Sequence, residues 1–245
     1  MNRPRLLLLG GTAEARALAA ALHPETAVIS SLAGRVPDPA LPVGAVRVGG
    51  FGGAAGLRTW LVANRIEAVV DATHPFAATI TATAATVCAE LGLPHRVLAR
   101  PAWPLDAASP VASTAEAAEV VARRGFGRVF LTTGRSGLAE FTAGEAWFLI
   151  RVVTAPDPAV LPARHHVLLS RGPYRYDDER RVLREHRIDV LVTKNSGGTM
   201  TRAKLDAAAD LRIPVVMVQR PPQPAGVPTL ADIPAAVAWV EAVLG

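Results

Sequence analysis

Short apolar runs alternate with stretches of helical period along almost the whole chain. In the first half, runs at 5–9, 26–30, 45–48, 67–71 and 95–99 predict strands, and the spacing at 13–22, 53–64 and 76–91 predicts the helices between them. The second half repeats the theme. Predicted strands at 128–132, 147–153, 166–170, 189–193 and 214–218 alternate with helices at 114–124, 177–187, 202–211 and 232–243. Strands that alternate one for one with helices build parallel sheets from right-handed βαβ units, so the fold class is α/β.

The segment from Arg100 to Pro110 has three prolines and no period, which marks a linker. It divides the chain into an N-terminal dinucleotide-binding domain, 1–108, and a C-terminal α/β domain, 109–245. Two Rossmann-like parallel-sheet domains with a cleft between them are the expected architecture. Gly226 to Leu230 reads as an extended lead into the last helix, with Asp232 as its N-cap and Pro234 in its first turn.

Half of the 245 residues are hydrophobic, enough for a substantial core. The opening four-leucine run is too short for a signal segment, and no later run approaches the roughly 18 apolar residues of a membrane span. A cytoplasmic protein is expected. The single cysteine, Cys88, lies on the apolar helical face of Ile80, Ala84, Val87 and Leu91, where it reads as packing.

Charge narrows the ligand class. The formal charge is +5, and its whole excess falls in residues 151–204, which hold 11 Lys and Arg against 6 Asp and Glu. Aromatic residues are 5% of the chain, and no nucleic-acid-binding signature appears, so an anionic small molecule is the expected partner. Arg180, Arg181, Arg184 and Arg187 share a helix with Asp177, Asp178, Glu179 and Glu185 and read as a solvated, ion-paired face.

Four polar turns, each at the end of a predicted strand, carry the candidate chemistry. The first is Gly10-Gly11-Thr12, where glycines permit a sharp turn and free N–H groups at a helix start, with the Thr12 hydroxyl, can face a phosphate. It lacks the third glycine of the full dinucleotide fingerprint. The others are Asp71-Ala72-Thr73-His74-Pro75, Thr132-Thr133-Gly134-Arg135-Ser136 and Thr193-Lys194-Asn195-Ser196-Gly197-Gly198. Ligands of open parallel sheets bind beyond such strand ends.

The chain resembles the precorrin-6A reductases of cobalamin biosynthesis. The resemblance rests on Leu9-Gly10-Gly11-Thr12 with Glu14-Ala15, on Asp71 to Ala77, on Thr132 to Arg135, and on Thr193 to Gly198 with Lys204-Leu205. It implies a pyridine-nucleotide reductase that removes one double bond from a multiply carboxylated tetrapyrrole, precorrin-6A, to give precorrin-6B. It also implies passage of the product to neighbouring corrin-pathway enzymes, with no nucleic acid, membrane or metal involved. Such a substrate explains the basic stretch.

The second predicted strand runs into Ser30-Ser31 and then Arg35, with no carboxylate before Asp38. An acidic residue there would bind a ribose 2′-hydroxyl and repel a 2′-phosphate, so NADPH is the expected cofactor. Its candidate contacts are Gly10, Gly11, Thr12, Ser30, Ser31, Arg35, Thr73, Thr133, Gly134, Arg135, Asn195, Ser196 and Gly197. Arg171, Tyr174, Lys194 and Lys204 are candidates for the substrate carboxylates. The reaction needs a proton as well as a hydride, and His74, Lys194 and Tyr174 are the donors on offer, with His74 and Lys194 the catalytic candidates. Lys194 equally suits a carboxylate, and His74 equally suits a helix cap. Three rivals stay open from the residues alone: a two-lobed ligand-binding protein without catalysis, a tetrapyrrole methyltransferase, and a cobalt-precorrin-6A reductase using NADH.

Overall fold

The computed structural model describes residues 3–34, 40–106 and 108–245. The chain begins with β1 (Arg5–Leu9), α1 (Ala13–Leu22), β2 (Ala27–Leu32), β3 (Ala45–Val48), α2 (Gly53–Ala63), β4 (Ala68–Asp71), α3 (Ala78–Leu91) and β5 (His95–Leu98). It continues with β6 (Ser109–Val111), α4 (Thr114–Arg123), β7 (Arg128–Thr132), β8 (Trp147–Val152), β9 (His165–Leu169), α5 (Tyr176–Glu185), β10 (Val190–Lys194), α6 (Ala203–Asp210) and β11 (Val215–Val218). It ends with β12 (Thr229–Leu230) and α7 (Ile233–Leu244). Short 3-10 turns at Leu138–Phe141 and Pro158–Val160 complete the described elements.

Two compact units result, one of residues 1–100 with 221–245 and the other of 101–220. Each holds a six-stranded sheet with every strand pair parallel, in the orders β12-β5-β4-β1-β2-β3 and β6-β11-β10-β7-β8-β9. Five consecutive strands in the order 3-2-1-4-5 form the body of each, as in the doubly wound α/β fold. The sixth position differs. In the first sheet it is filled by β12, which enters after the whole second unit, and in the second by β6, which precedes β7.

This arrangement corrects the predicted division at 108/109 with everything downstream in the second domain. Residues 221–245 belong to the first unit, because β12 pairs with β5 and α7 buries Ala236 and Val240 against Leu6, Leu8 and Leu18. Part of the predicted linker is also strand. Ser109-Pro110-Val111 pairs with β11 alone, at a sheet edge, where a proline costs no ladder bond on its outer side.

In the first unit, alternate strand residues face opposite helix layers. Leu6, Leu8, Val28 and Val70 pack under α1 and α7, while Leu7, Leu9 and Val69 pack under Leu57 and Leu61 of α2 and Ala84, Val87 and Cys88 of α3. Burial on both faces is why these strands read as unbroken apolar runs. Cys88 is buried, as its helical position predicts, and desolvation pushes its thiol pKa up to about 12. In the second unit, Phe130, Leu149 and Leu191 pack against Leu183 of α5 and Ala207 and Ala208 of α6. Asp232 caps α7 through Ala235 N–H at 2.8 Å, with Pro234 in the first turn as expected. No described helix is long and apolar enough to cross a membrane.

Candidate functional site

The two strand orders place the four polar turns. In the first sheet the connections leave β1 and β4, which are neighbours, in opposite directions, and the second sheet does the same at β7 and β10. Such a reversal opens a crevice at the carboxyl ends of the two strands. Gly10 to Thr12 and Asp71 to Pro75 flank the crevice of the first unit. Thr133 to Ser136 and Lys194 to Gly198 flank that of the second.

In the first unit the glycine turn is built for close approach. Gly11 has φ +105°, and a Cβ there would meet nothing within 4 Å, so the space over the turn is open. Gly10 instead packs: its N–H donates to the Ser31 carbonyl at 3.0 Å, and a Cβ would lie 3.3 Å from that of Ala15. Thr12 is buried and caps α1. Its hydroxyl accepts from Ala15 N–H at 3.1 Å and donates to the Ala72 carbonyl at 2.7 Å, tying the two turns together. The hydroxyl proton is therefore spent inside the protein, and the free N–H groups of the first helical turn are what remain for an anion. Glu14 in that turn is neutralised by Arg100, whose Nη1 reaches both carboxylate oxygens at 2.9 and 3.1 Å.

Asp71, fully buried, accepts from the Thr73 N–H at 2.9 Å and the Thr73 hydroxyl at 2.6 Å, so Thr73 also shapes its turn. His74 Nδ1 accepts from Phe76 N–H at 3.3 Å, and the His74 carbonyl accepts from Ala77 N–H at 2.7 Å. The ring thus caps the approach to α3, and the neutral tautomer that does so carries its proton on Nε2. Ser30 is buried with no hydrogen-bond partner for its hydroxyl among the described residues, whereas the Ser31 hydroxyl accepts from Arg47 at 2.9 Å. Arg35 lies outside the described residues.

In the second unit Gly134 has φ +75° with open space around a Cβ, and Thr133 is buried with no hydrogen-bond partner for its hydroxyl among the described residues. Arg135 is exposed beside them. Lys194, at the end of β10, donates to the Ser136 hydroxyl at 2.8 Å, and burial lowers its ammonium pKa. These groups share one crevice.

Asn195 does something else. It is buried, accepts from Trp103 N–H at 2.9 Å and donates to the Trp103 carbonyl at 3.0 Å, while Trp103 Nε1 donates to the Gly198 carbonyl at 2.7 Å. Arg220 donates to the carbonyls of Asn195 and Ser196 at 2.8 and 3.1 Å. A Cβ on Gly197 would fall 2.2 Å from Arg220 Nη2 and from the Pro101 carbonyl oxygen. Asn195 and Gly197 thus hold the strand-end loop in place from beneath.

The substrate candidates separate. Arg171 is exposed beyond β9, the edge strand. Tyr174 donates its hydroxyl to the Ser170 carbonyl at 3.1 Å and lays its ring 4.1 Å from the Arg151 guanidinium. Lys204 is buried on α6 with its ammonium 5.2 Å over the Trp103 ring, and desolvation brings its pKa down to about 7. Beside it Arg151 and Glu179 form a buried ion pair at 2.8 Å. Glu179 is therefore not part of the predicted solvated face, although Arg181 and Asp178 do pair there at 2.6 Å.

Sequence reading passed over Arg47, Trp103, Arg151 and Arg220. The density of glycine in Gly49-Gly50-Phe51-Gly52-Gly53, one residue beyond Arg47, was the available signal for the first.

Comparison with known proteins agrees with this geometry. The family model described as precorrin-6x reductase CbiJ/CobK matches residues 5–241. A precorrin-6A reductase of Mycobacterium tuberculosis is 66% identical over 236 residues, covering 96% of this chain and 97% of that protein. One from Rhodococcus erythropolis is 54% identical over 242 residues, covering 96% of this chain and 97% of that protein. A solved structure described as CobK precorrin-6A reductase superposes with a TM-score of 0.90 at 35% identity, covering 98% of this chain and 96% of that one. With nearly the full length matched by the family model and by these relatives, the chain belongs to the precorrin-6x reductase family CbiJ/CobK.

Proposed function

We propose that the protein is an oxidoreductase of cobalamin biosynthesis that uses NADPH to reduce one double bond of precorrin-6A, giving precorrin-6B. Family membership over residues 5–241 supports the reaction class, and the relatives at 66% and 54% identity are both named for precorrin-6A. The observation that carries the cofactor is the open glycine turn at Gly11, set beside the N-terminus of α1 at the β1/β4 crevice. In this reading Gly10, Gly11 and the first turn of α1 hold the pyrophosphate by backbone N–H groups, a geometry that costs no side-chain ordering.

NADPH, when bound, supplies a hydride to one carbon of the conjugated system. The neighbouring atom then takes a proton, so the product carries two more hydrogens than the substrate. Lys194 is our proton source. Desolvation weakens its hold on the proton, and the Ser136 hydroxyl fixes the direction of the ammonium. His74 is the second candidate, with its ring orientation set by Phe76 N–H. Arg171 and Lys194 receive substrate carboxylates, and Thr133, Gly134 and Arg135 line the same crevice as Lys194. Equilibrium fluorescence titration separates this reading from a methyltransferase: NADPH binds, and S-adenosylmethionine does not. Binding of S-adenosylmethionine alone would overturn it.

A further inference from the structure

The carboxyl ends of β2 and β3 carry a cation that the site described so far does not use. Arg47 and Ser31 are register partners in the parallel β2/β3 pair, so their side chains stand on one face of the sheet. The guanidinium carbon lies 3.8 Å from the Phe51 ring centroid and 5.5 Å from that of Trp60. Nη1 donates to the Ser31 hydroxyl at 2.9 Å and the Gly49 carbonyl at 2.8 Å, and Nη2 donates to the Gly50 carbonyl at 3.0 Å. A long flexible side chain is thus already locked in one conformation. The ordering cost that binding would otherwise exact is removed.

What the cation lacks is a counter-charge. Arg100 and Arg151 are matched to Glu14 and Glu179, but among the described residues no carboxylate pairs with the half-buried Arg47. The Ser31 hydroxyl, already accepting from Arg47, donates to no described residue, so a hydroxyl proton stands beside the guanidinium for an incoming acceptor. The following Gly49, Gly52 and Gly53 have φ of +120°, +78° and +84°, and a Cβ on any of them would meet nothing within 4 Å.

A guanidinium without a counter-charge, beside a hydroxyl donor, selects the ligand. A ribose 2′-hydroxyl would call for a carboxylate at this strand end, whereas a 2′-phosphate calls for a guanidinium and a hydroxyl. Resting on the NADPH reading above, we propose that Arg47, held flat on Phe51 and backed by Ser31, is the residue that selects the 2′-phosphorylated cofactor. It takes the role that sequence reasoning gave to Arg35.

The test measures equilibrium binding of fragments by calorimetry, with adenosine 2′,5′-bisphosphate against 5′-AMP and NADPH against NADH. Arg47→Gln is expected to weaken the bisphosphate and NADPH by about 10- to 100-fold while AMP and NADH change by less than about two-fold. Arg47→Lys, which keeps the charge but loses the planar fork, falls between. Phe51→Leu removes the platform and leaves the charge; it lowers bisphosphate affinity several-fold and spares AMP. Equal weakening of AMP and bisphosphate by Arg47→Gln would reduce Arg47 to a clamp on the glycine loop and overturn the proposal. Retention of the wild-type preference for NADPH would also overturn it while leaving the cofactor reading intact. A wild-type protein that binds NADH and AMP as tightly as their 2′-phosphorylated counterparts would instead overturn the NADPH reading, and this proposal with it.

Discussion

Asn195 and Trp103, 92 positions apart in the chain, are joined by a reciprocal pair of hydrogen bonds in which the Asn195 carboxamide reads the Trp103 backbone as a strand neighbour would. The most recognisable strand-end motif of the chain is therefore partly a staple. Asn195→Ala leaves a buried N–H and a buried carbonyl unpaired, each costing about 1–3 kcal/mol. A loss of about 2–6 kcal/mol in urea unfolding is expected. A change below about 0.5 kcal/mol would show that the staple contributes nothing.

Gly11→Val should separate stability from binding. Because a Cβ there meets nothing, the only structural cost is the positive φ of +105°, about 1–3 kcal/mol for a branched residue. Binding suffers more, since the side chain occupies the open space over the turn. NADPH affinity should be lost while circular dichroism stays native; unchanged affinity would make the turn merely structural.

Lys204 predicts a pH dependence with a defined sign. Its folded pKa, about 7, is depressed below the ordinary 10.5, first by desolvation and then by Arg151, with Glu179 opposing. Between those values the unfolded chain holds the extra proton, so this group makes stability rise with pH across that window and adds no slope outside it. Lys204→Met should remove that slope and raise stability at pH 6 by about 2–4 kcal/mol, a gain that shrinks towards pH 10. Urea midpoints at four pH values read this directly. An unchanged slope accompanied by a higher KM would return Lys204 to the substrate site.

Much of the fold was legible because both sheets are parallel and buried on both faces. Runs such as Leu6 to Leu9 and Val190 to Val192 are short, unbroken and set between helical stretches, and their length marks them as strands. β6 and β12 were not legible, since three residues containing Pro110 and a two-residue Thr229-Leu230 bridge carry no pattern of their own. The return of α7 to the first unit was hidden for the same reason: which sheet an apolar helix covers is decided by packing, not spacing. At the site, strand-end turns were visible, but the direction of hydroxyls was not. Thr12 and Thr73 read as ligand donors until Ala72 and Asp71 are seen to take their protons.

If the substrate is a polycarboxylate, its affinity depends on salt and on individual cations. Lys194→Met and Arg171→Met should raise KM several-fold at low ionic strength, with less effect at high. Lys194→Met should also lower kcat if this ammonium supplies the proton. Arg184, exposed in the last turn of α5, is the control, and Arg184→Met should change neither. Equal damage from all three would contradict the assignment.

The central claim is hydride transfer from NADPH to the precorrin-6A ring, and mass spectrometry of the product tests it most directly. With NADPH deuterated at the transferring position of nicotinamide C4, in ordinary water, the account predicts a product that has gained one deuterium and one protium while NADPH is oxidised in equal amount. Recovery of precorrin-6A at unchanged mass with NADPH intact, or a product heavier by a methyl group when S-adenosylmethionine is supplied instead, would contradict it.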